Sequence, residues 1–268
     1  MKLRKKKRKR KMNETLIIIN SGQADYGTSA DFTYSFKDYG LTGVKQFRVN
    51  KITVPYSFYN QRQQNFIIQY NGAGPVNLLF PAGSYTATGL ATKLAGIINA
   101  TIANPITITY DSVLNKFKFT MTGADTLILN FIPGPGGSLA NYNIGVQMGL
   151  ILASSVAAVG PFNALTAPYC ANLNATSNIY ISSAILNMYN VSYFDRIKAN
   201  IIQSVPVNVN SFNFIIWENS QQTMFDLMTD NTNISYIDIK ILDDYGNVLD
   251  LNGLNVIIEI QFYINANN

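Results

Sequence analysis

Apolar side chains recur at helical spacing in one stretch of the chain and alternate with polar ones in most of the rest. In residues 83–122 a single apolar stripe has the period of a helix and consists of Leu90, Leu94, Ile97, Ile98 and Ile102. Thr86 is predicted to be the N-cap, because its hydroxyl can accept a hydrogen bond from a first-turn N–H. The helical segment is expected to close at Asn104, since Pro105 disfavours helical geometry in the residue before it.

Alternation with a period of two residues is clearest in the last quarter of the chain. Residues 234–242 and 254–264 place apolar side chains at alternate positions, which is typical of half-buried antiparallel strands. Asn71-Gly72 and Asn252-Gly253 are strong turn signals. Shorter strand patterns occupy residues 14–20, 31–36, 44–54, 65–70, 76–80, 106–110, 116–121 and 126–132. The chain is therefore predicted to be all-β, an antiparallel β-sandwich with one amphipathic helix in a connection.

Positive charge is concentrated at the start of the chain. The nine basic residues there are Lys2, Arg4, Lys5, Lys6, Lys7, Arg8, Lys9, Arg10 and Lys11. Without them, 11 basic and 15 acidic residues remain, a formal net charge of −4. We expect this run to be disordered in isolation, because like charges repel and it has no apolar face to bury. It indicates a nucleic-acid-binding arm or a nuclear-import signal, with a solubilising tail as the alternative, and it lacks the apolar run of a secretory signal peptide.

A long uncharged stretch covers residues 126–194, which contain no Asp, Glu, Lys or Arg. Such depletion is typical both of a buried core and of the middle of a protein–protein interface. The interface hypothesis singles out Ile144, Val146, Met148, Leu150, Ile151 and Leu152. A membrane span is not expected, because glycine, proline and polar residues interrupt the apolar run at 144–162.

Catalytic chemistry is nearly absent from the sequence. The chain has no histidine, so it has no histidine base and no Ser-His-Asp or Cys-His nucleophile, and its one cysteine, Cys170, cannot build a thiolate zinc site or an internal disulfide. A pair of carboxylates that meets only in the fold stays open. Asp243-Asp244 favours a turn over calcium, since the spaced oxygen ligands of a calcium loop are missing. We expect no enzyme activity, no metal and no cofactor.

Several segments resemble a family of viral capsid proteins when they are taken in order. They are residues 83–94, 106–111, 115–120, 143–150, 237–247 and 249–253. In this sequence of motifs the chain is similar to the single-jelly-roll penton or minor capsid proteins of virophages, polinton-like viruses and related DNA viruses of the double-jelly-roll lineage. It departs from them at Gly89, where an acidic helix-start residue is common.

The resemblance implies a jelly-roll β-sandwich at residues 13–268, with a helix-containing insertion around 84–103 and a basic arm at 1–12. It further implies a homopentamer at the fivefold vertices of an icosahedral shell. There the protein would contact the major capsid protein, and its arm would be directed to the packaged double-stranded DNA. Such a protein is located in the virion, at the capsid vertex, and is assembled inside the host cell. The alternatives are a minor or cement capsid protein under the hexons and, from another class, a carbohydrate-binding β-sandwich.

Overall fold

The computed structural model describes residues 12–36, 40–121, 125–131, 143–150, 164–174, 176–186, 192–194, 197–227 and 232–265. The basic arm and its predicted disorder lie outside these ranges. The chain divides into two compact units, each with its own hydrophobic core. The first unit combines Met1–Phe58 with Thr176–Asn268, and the second is Tyr59–Ala175.

Strands are numbered along the chain. Those of the first unit are β1 (Met12–Asn20), β2 (Tyr26–Gly27), β3 (Asp31–Ser35), β4 (Leu41–Pro55), β11 (Asn178–Ser182), β12 (Ser192–Phe194), β13 (Ile197–Ala199), β14 (Ile201–Pro206), β15 (Phe214–Glu218), β16 (Phe225–Asp226), β17 (Thr232–Ile234), β18 (Tyr236–Leu242) and β19 (Ile257–Asn265). A short 3-10 helix follows β1 at Ser21–Gln23. Strands β12 and β13 pair only with each other in the described part of the chain.

Apart from the β12–β13 pair, the described strands of the first unit form two antiparallel sheets. The first sheet has the order β1-β19-β4-β15, with β16 and β17 also paired to β4, and the second has the order β14-β11-β18-β3-β2. When β1, β3, β4, β11, β14, β15, β18 and β19 are counted one to eight, the sheets read 1-8-3-6 and 2-7-4-5. This is the strand order of a jelly roll. The predicted fold class, an antiparallel jelly-roll β-sandwich with one long helix in a connection, is confirmed.

The core of the first unit lies between the inward faces of these sheets. Alternate residues of β19, Ile258, Ile260 and Phe262, belong to the same buried cluster as Ile237 and Ile239 of β18. The predicted alternation is therefore correct in both strands. The two strands lie in different sheets and do not form a hairpin with each other. The turn after β18 pairs back onto that strand through a single bridge, between Leu242 and Val248.

In its described residues, the second unit contains two three-stranded sheets and two helices. Its elements are β5 (Gln64–Tyr70), β6 (Val76–Phe80), α1 (Ala87–Asn99), β7 (Ile106–Asp111), β8 (Lys116–Met121), β9 (Leu127–Asn130), α2 (Ile144–Gln147) and β10 (Leu165–Thr166). The sheet orders are β6-β5-β9 and β10-β8-β7. Asn71 and Gly72 form the centre of the turn after β5, with φ angles of 50° and 69°, and the Ala73 N–H donates to the Tyr70 carbonyl at 2.9 Å, so the predicted turn opens the five-residue connection to β6.

The predicted helix forms with the expected cap and buried face. Thr86 Oγ1 accepts a hydrogen bond from the Gly89 N–H at 3.1 Å, and Leu90, Leu94 and Ile98 are fully buried. The helix ends at Asn99, however, before the predicted end at 104. The Asn99 side chain accepts from the Ile106 N–H at 2.7 Å and donates to the Ile106 carbonyl at 2.9 Å, so it anchors the start of β7.

The helix is part of a larger inserted unit than the 84–103 insertion that the sequence suggests. It contributes to one buried cluster together with strands of both small sheets, including Phe66 of β5 and Phe117 of β8. The helix depends on packing against these sheets, because Gly89 and Gly96 each destabilise an isolated helix by about 1 kcal/mol relative to alanine. The second unit, Tyr59–Ala175, lies in sequence between β4 and β11 of the jelly roll.

Candidate functional site

The outward face of the first sheet carries large apolar side chains. Residues directly opposite each other on neighbouring strands share one face of a sheet. In this way Asn20, Ile257, Thr53 and Ile216 form one row across β1, β19, β4 and β15. The Ile216 side chain is 55% exposed and that of Ile257 is 39% exposed.

A charged row lies beside it. Ile18 of β1 is opposite Glu259, which is opposite Lys51, which is opposite Glu218. Lys51 Nζ is 2.9 Å from Glu218 Oε1, and this hydrogen bond, followed by the charges of Glu218 and Glu259, raises the pKa of Lys51. The charges alternate in sign along the row, so the face carries little net charge at this level.

In the next row of the face, hydrogen bonds to neighbouring side chains orient Arg48. Leu16 is opposite Gln261, and Gln261 is opposite Arg48. Arg48 Nη2 donates to Gln261 Oε1 at 2.5 Å, Arg48 Nε donates to Asn50 Oδ1 at 2.7 Å, and Gln261 Nε2 donates to Glu14 Oε2 at 2.6 Å. The polar groups at the centre of the face are therefore bonded to one another.

Exposed apolar side chains are concentrated at the two edges of this sheet. On β1, Leu16 is 53% and Ile18 is 55% exposed, while on β15, Phe214 is 59% exposed beside Ile216. Their neighbours Ile19 and Ile215 are buried on the inward side. We call the outward side chains of β1, β19, β4 and β15 the outer sheet face. Its members include Leu16, Ile18, Asn20, Arg48, Lys51, Thr53, Phe214, Ile216, Glu218, Ile257, Glu259 and Gln261.

Phe212 extends the apolar edge beyond β15. Its φ is +70°, a left-handed conformation that is uncommon for a bulky residue, and its side chain is 83% exposed. Its N–H donates to the Tyr56 carbonyl at 2.9 Å, which fixes the turn before β15. An aromatic side chain is thus presented to solvent beside the exposed apolar residues of the edge strand.

The interface residues suggested by the sequence are placed differently. Ile144, Met148 and Leu150 are buried in the core of the second unit, Val146 is half-buried, and Ile151 and Leu152 lie outside the described residues. Asn143 Oδ1 caps α2 by accepting from the Gly145 N–H at 2.9 Å. Burial in their own unit accounts for the apolar character of the first three side chains, and contact with a second subunit stays a prediction for this segment.

Sequence reasoning missed the apolar edges, although the sequence contains a signal for them. Residues 16–19 of β1 and 214–217 of β15 are apolar at every successive position. A strand buried on one face only alternates, so an uninterrupted apolar run places large side chains on both faces. The nine basic residues Lys2–Lys11 lie outside the described ranges, and β1 begins at Met12, directly after them.

The sequence also raised the questions of metal ligands, a membrane span, the lone cysteine and the Asp243-Asp244 pair. Within those ranges, no group of three or more His, Cys, Asp or Glu residues could hold a metal ion. Among the helices described, none has both the length and the apolar character needed to cross a membrane. The Cys170 thiol is exposed. Asp243 Oδ1 accepts from the Tyr245 and Asn247 N–H groups, each at 2.9 Å, so the predicted turn is present at this acidic pair.

Comparisons with known proteins give a distant structural likeness. No protein-family model matches the chain, and no curated protein matches it. Among solved structures, the chain is similar to the crystal structure of the selenomethionine-labelled mavirus penton protein, with 15% sequence identity and a TM-score of 0.43. The match covers 93% of this chain and 99% of that one. An identity and a TM-score this low support no assignment of function.

Proposed function

We propose that this chain is a structural capsid protein, a penton that forms homopentamers at the fivefold vertices of an icosahedral shell. Two independent features support this proposal. The ordered motifs of the sequence resemble those of single-jelly-roll capsid proteins of virophages and related DNA viruses. The first unit has the strand order of a jelly roll, and its first sheet exposes large apolar side chains at both edges of the outer sheet face.

The outer sheet face carries the proposal. Scattered exposed apolar residues are ordinary, but neighbouring large apolar side chains exposed together mark a site of protein–protein contact. Here Leu16 and Ile18 at one edge of the face, and Phe214 and Ile216 at the other, are all more than half exposed. Between them Lys51 is paired with Glu218, and the Arg48 guanidinium donates to the Asn50 and Gln261 side chains, which lowers the cost of removing these groups from water.

The proposed partners are other copies of this chain and the major capsid protein that surrounds the vertex. The protein would be located in the virion, at the capsid vertex, after assembly inside the host cell. The basic arm, Lys2–Lys11, would reach the packaged double-stranded DNA, because a run of nine cations neutralises phosphates without reading sequence.

The test is the mass of the purified assembly combined with images of the particle. We expect a species of five times the 29.7 kDa chain mass, and density for the jelly roll at the fivefold positions of the averaged particle. A protein found in the particle away from the vertices would instead be the minor or cement protein of the same lineage. A protein that stays monomeric in solution and is absent from purified particles would overturn the proposal.

A further inference from the structure

In the residues that the structure describes, the first sheet has a free edge at β1 and another at β15, with the short strands β16 and β17 following β15 along β4. In the order β1-β19-β4-β15, β1 is the strand at one end and β15 the strand at the other. Within the described part of the chain, neither strand pairs on its outer side. A free edge presents a row of backbone N–H and C=O groups to any strand that can approach it.

The central segments of both edge strands lack lysine, proline and bulges, which commonly protect such strands. Strand β1 pairs with β19 along all nine residues without a register shift, and the five residues of β15 pair with β4 equally regularly. Residues 15–19 and 214–217 contain no charged residue and no proline. Lysine, proline and bulges are the usual protection of an edge strand, and none of them interrupts either segment.

The second sheet provides an internal comparison, because its edges are protected. One edge strand, β14, ends in Pro206 and pairs with β11 through a register shift at Ile181 and Ser182. The other edge strand, β2, has only two residues, Tyr26–Gly27. In the described residues, therefore, the edges of the second sheet are protected and the central segments of the two edge strands of the first sheet are not, which favours a role for those segments in strand pairing.

Strand direction favours a head-to-tail contact between copies. Strand β1 is antiparallel to β19, β19 to β4, and β4 to β15, so β1 and β15 run in opposite directions. If a second copy is placed beside β15 in the same orientation, its β1 is antiparallel to β15. The alternation of strand directions then continues from one copy into the next.

We propose that β1 of one copy pairs with β15 of the next copy, so that the first sheets of neighbouring copies join edge to edge. This inference deepens the proposed function and rests on it for the self-assembly of the chain. Leu16 and Ile18 of one copy then lie beside Phe214 and Ile216 of the other on the outer sheet face. Backbone ladder bonds provide affinity, and the joined apolar side chains provide specificity.

The arrangement also fixes where the basic arms emerge. A contact between unlike surfaces closes into a ring when its rotation permits, and every copy in the ring has the same orientation. Since each arm is attached at Met12, the first residue of β1, all arms leave the ring at the same end. An isologous pair of two β1 strands would instead direct the arms to opposite ends and leave both β15 edges uncovered.

The test is site-specific disulfide formation between copies, in a Cys170→Ser background that removes the exposed native thiol. Ile18→Cys and Ile216→Cys are prepared separately and then mixed under oxidised glutathione. We expect a covalent dimer only in the mixture, and a ladder up to the pentamer when one chain carries both substitutions. Because the register is set by the contact itself, Phe214→Cys serves as a second partner for Ile18→Cys. The matched control pairs Ile18→Cys with Ser204→Cys on the protected edge strand β14 and is expected to give no dimer.

Each remaining outcome decides the question. Dimers of Ile18→Cys alone would show an isologous β1 contact and overturn the inference. A native pentamer without any β1–β15 cross-link would overturn the inference and leave the proposed function standing, whereas a native protein that is monomeric throughout would overturn both.

A charge substitution gives an independent measurement. Ile18→Lys is expected to weaken assembly on the order of tenfold in protein concentration, because it removes the apolar cross-strand contacts of Ile18 with Phe214 and Ile216 of the next copy. The substituted side chain is 55% exposed in the single chain, so the fold should persist. Val113→Lys, at a 91% exposed position in the second unit, is the control and should assemble as the native protein does. Normal assembly of Ile18→Lys would overturn the inference.

Discussion

The Tyr70 hydroxyl donates a hydrogen bond to the carboxylate of Asp125 and so ties the end of β5 to the segment before β9. The side-chain N–H groups of Asn71 and Asn104 donate to the same carboxylate. Asn71 belongs to the β5–β6 hairpin, and Asn104 lies between α1 and β7. One carboxylate therefore connects three segments of the second unit.

The second unit should lose stability in acid through Asp125. Hydrogen bonds from Tyr70, then Asn104, then Asn71 hold the pKa of Asp125 below its ordinary value of 3.8. Since the unfolded chain takes up the proton more readily, this contribution is fully present above about pH 5 and is lost as the pH falls through the folded-state pKa. We expect Asp125→Asn to lack this part of the acid dependence. Urea unfolding followed by far-ultraviolet circular dichroism between about pH 2 and pH 7 measures it.

Two tyrosine variants control that experiment. Tyr70→Phe removes the first donor and should reduce the acid dependence, whereas Tyr110→Phe removes a hydrogen bond to the neutral Asn115 side chain and should leave the acid dependence unchanged.

The stability contributed by Tyr70 itself changes with pH in the opposite direction, at alkaline pH. The pKa of Tyr70 is raised, first by the bond to Asp125 and then by burial, so its contribution is lost as the pH rises above about 10. Equal acid profiles for the native protein and Asp125→Asn would contradict the assignment.

Asp243 is predicted to be the most sensitive carboxylate of the first unit. It is fully buried and accepts hydrogen bonds from two backbone N–H groups and from the Asn247 side chain. Asp243→Ala leaves these donors unsatisfied, which should lower the free energy of unfolding by about 2–4 kcal/mol. Fluorescence of Trp217, the single tryptophan of the chain, reports urea unfolding of the first unit.

The control for Asp243 is Asp250→Ala, because Asp250 is exposed and accepts only the Asn252 N–H at 2.9 Å in a similar local turn. We expect that substitution to cost less than about 1 kcal/mol. If the two variants unfold at the same urea concentration, burial of the Asp243 carboxylate does not have the role assigned to it.

How far sequence reasoning succeeded depends on whether a feature is local. The alternation in β19 and the Thr86 cap could be predicted because each depends on residues that are neighbours in the chain. The assignment of β18 and β19 to different sheets could not, since it depends on pairing with β3 and β4, about 200 residues away. The same holds for the size of the inserted unit, whose sheets meet only in the fold.

The candidate site also combines features that depend on neighbours in the chain with features that depend on distant strand pairing. An uncharged segment is expected for a core and for an interface alike, so the sequence around Ile144 could not distinguish the two, and the structure buries Ile144 in its own unit. The apolar run at residues 16–19 does indicate exposed apolar side chains. Only the strand order shows that this run forms a sheet edge.

Two glycines of the second unit should respond to alanine in opposite directions. Gly96 lies inside α1, and an added Cβ there meets nothing within 4 Å, so Gly96→Ala should raise the free energy of unfolding by about 0.5–1 kcal/mol. Gly149 has a φ of +79°, and an added Cβ would collide with the Tyr169 carbonyl. Gly149→Ala should therefore cost more than the roughly 1–2 kcal/mol of a left-handed alanine alone. Urea unfolding by circular dichroism compares the two, and a stabilising Gly149→Ala would contradict the geometry.

Removal of the basic arm should abolish salt-dependent DNA binding without affecting the folded body. Deletion of residues 2–11 removes all nine positive charges and ends before β1, whose first residue is Met12. Each phosphate contact contributes about 0.9 to the slope of log affinity against log salt, so the slope should fall by up to about 8. Fluorescence anisotropy with two duplexes of unrelated sequence measures this slope and should give the same value for both. Trp217 fluorescence should show unchanged urea unfolding, and undiminished DNA binding by the truncated chain would eliminate the arm as the DNA contact.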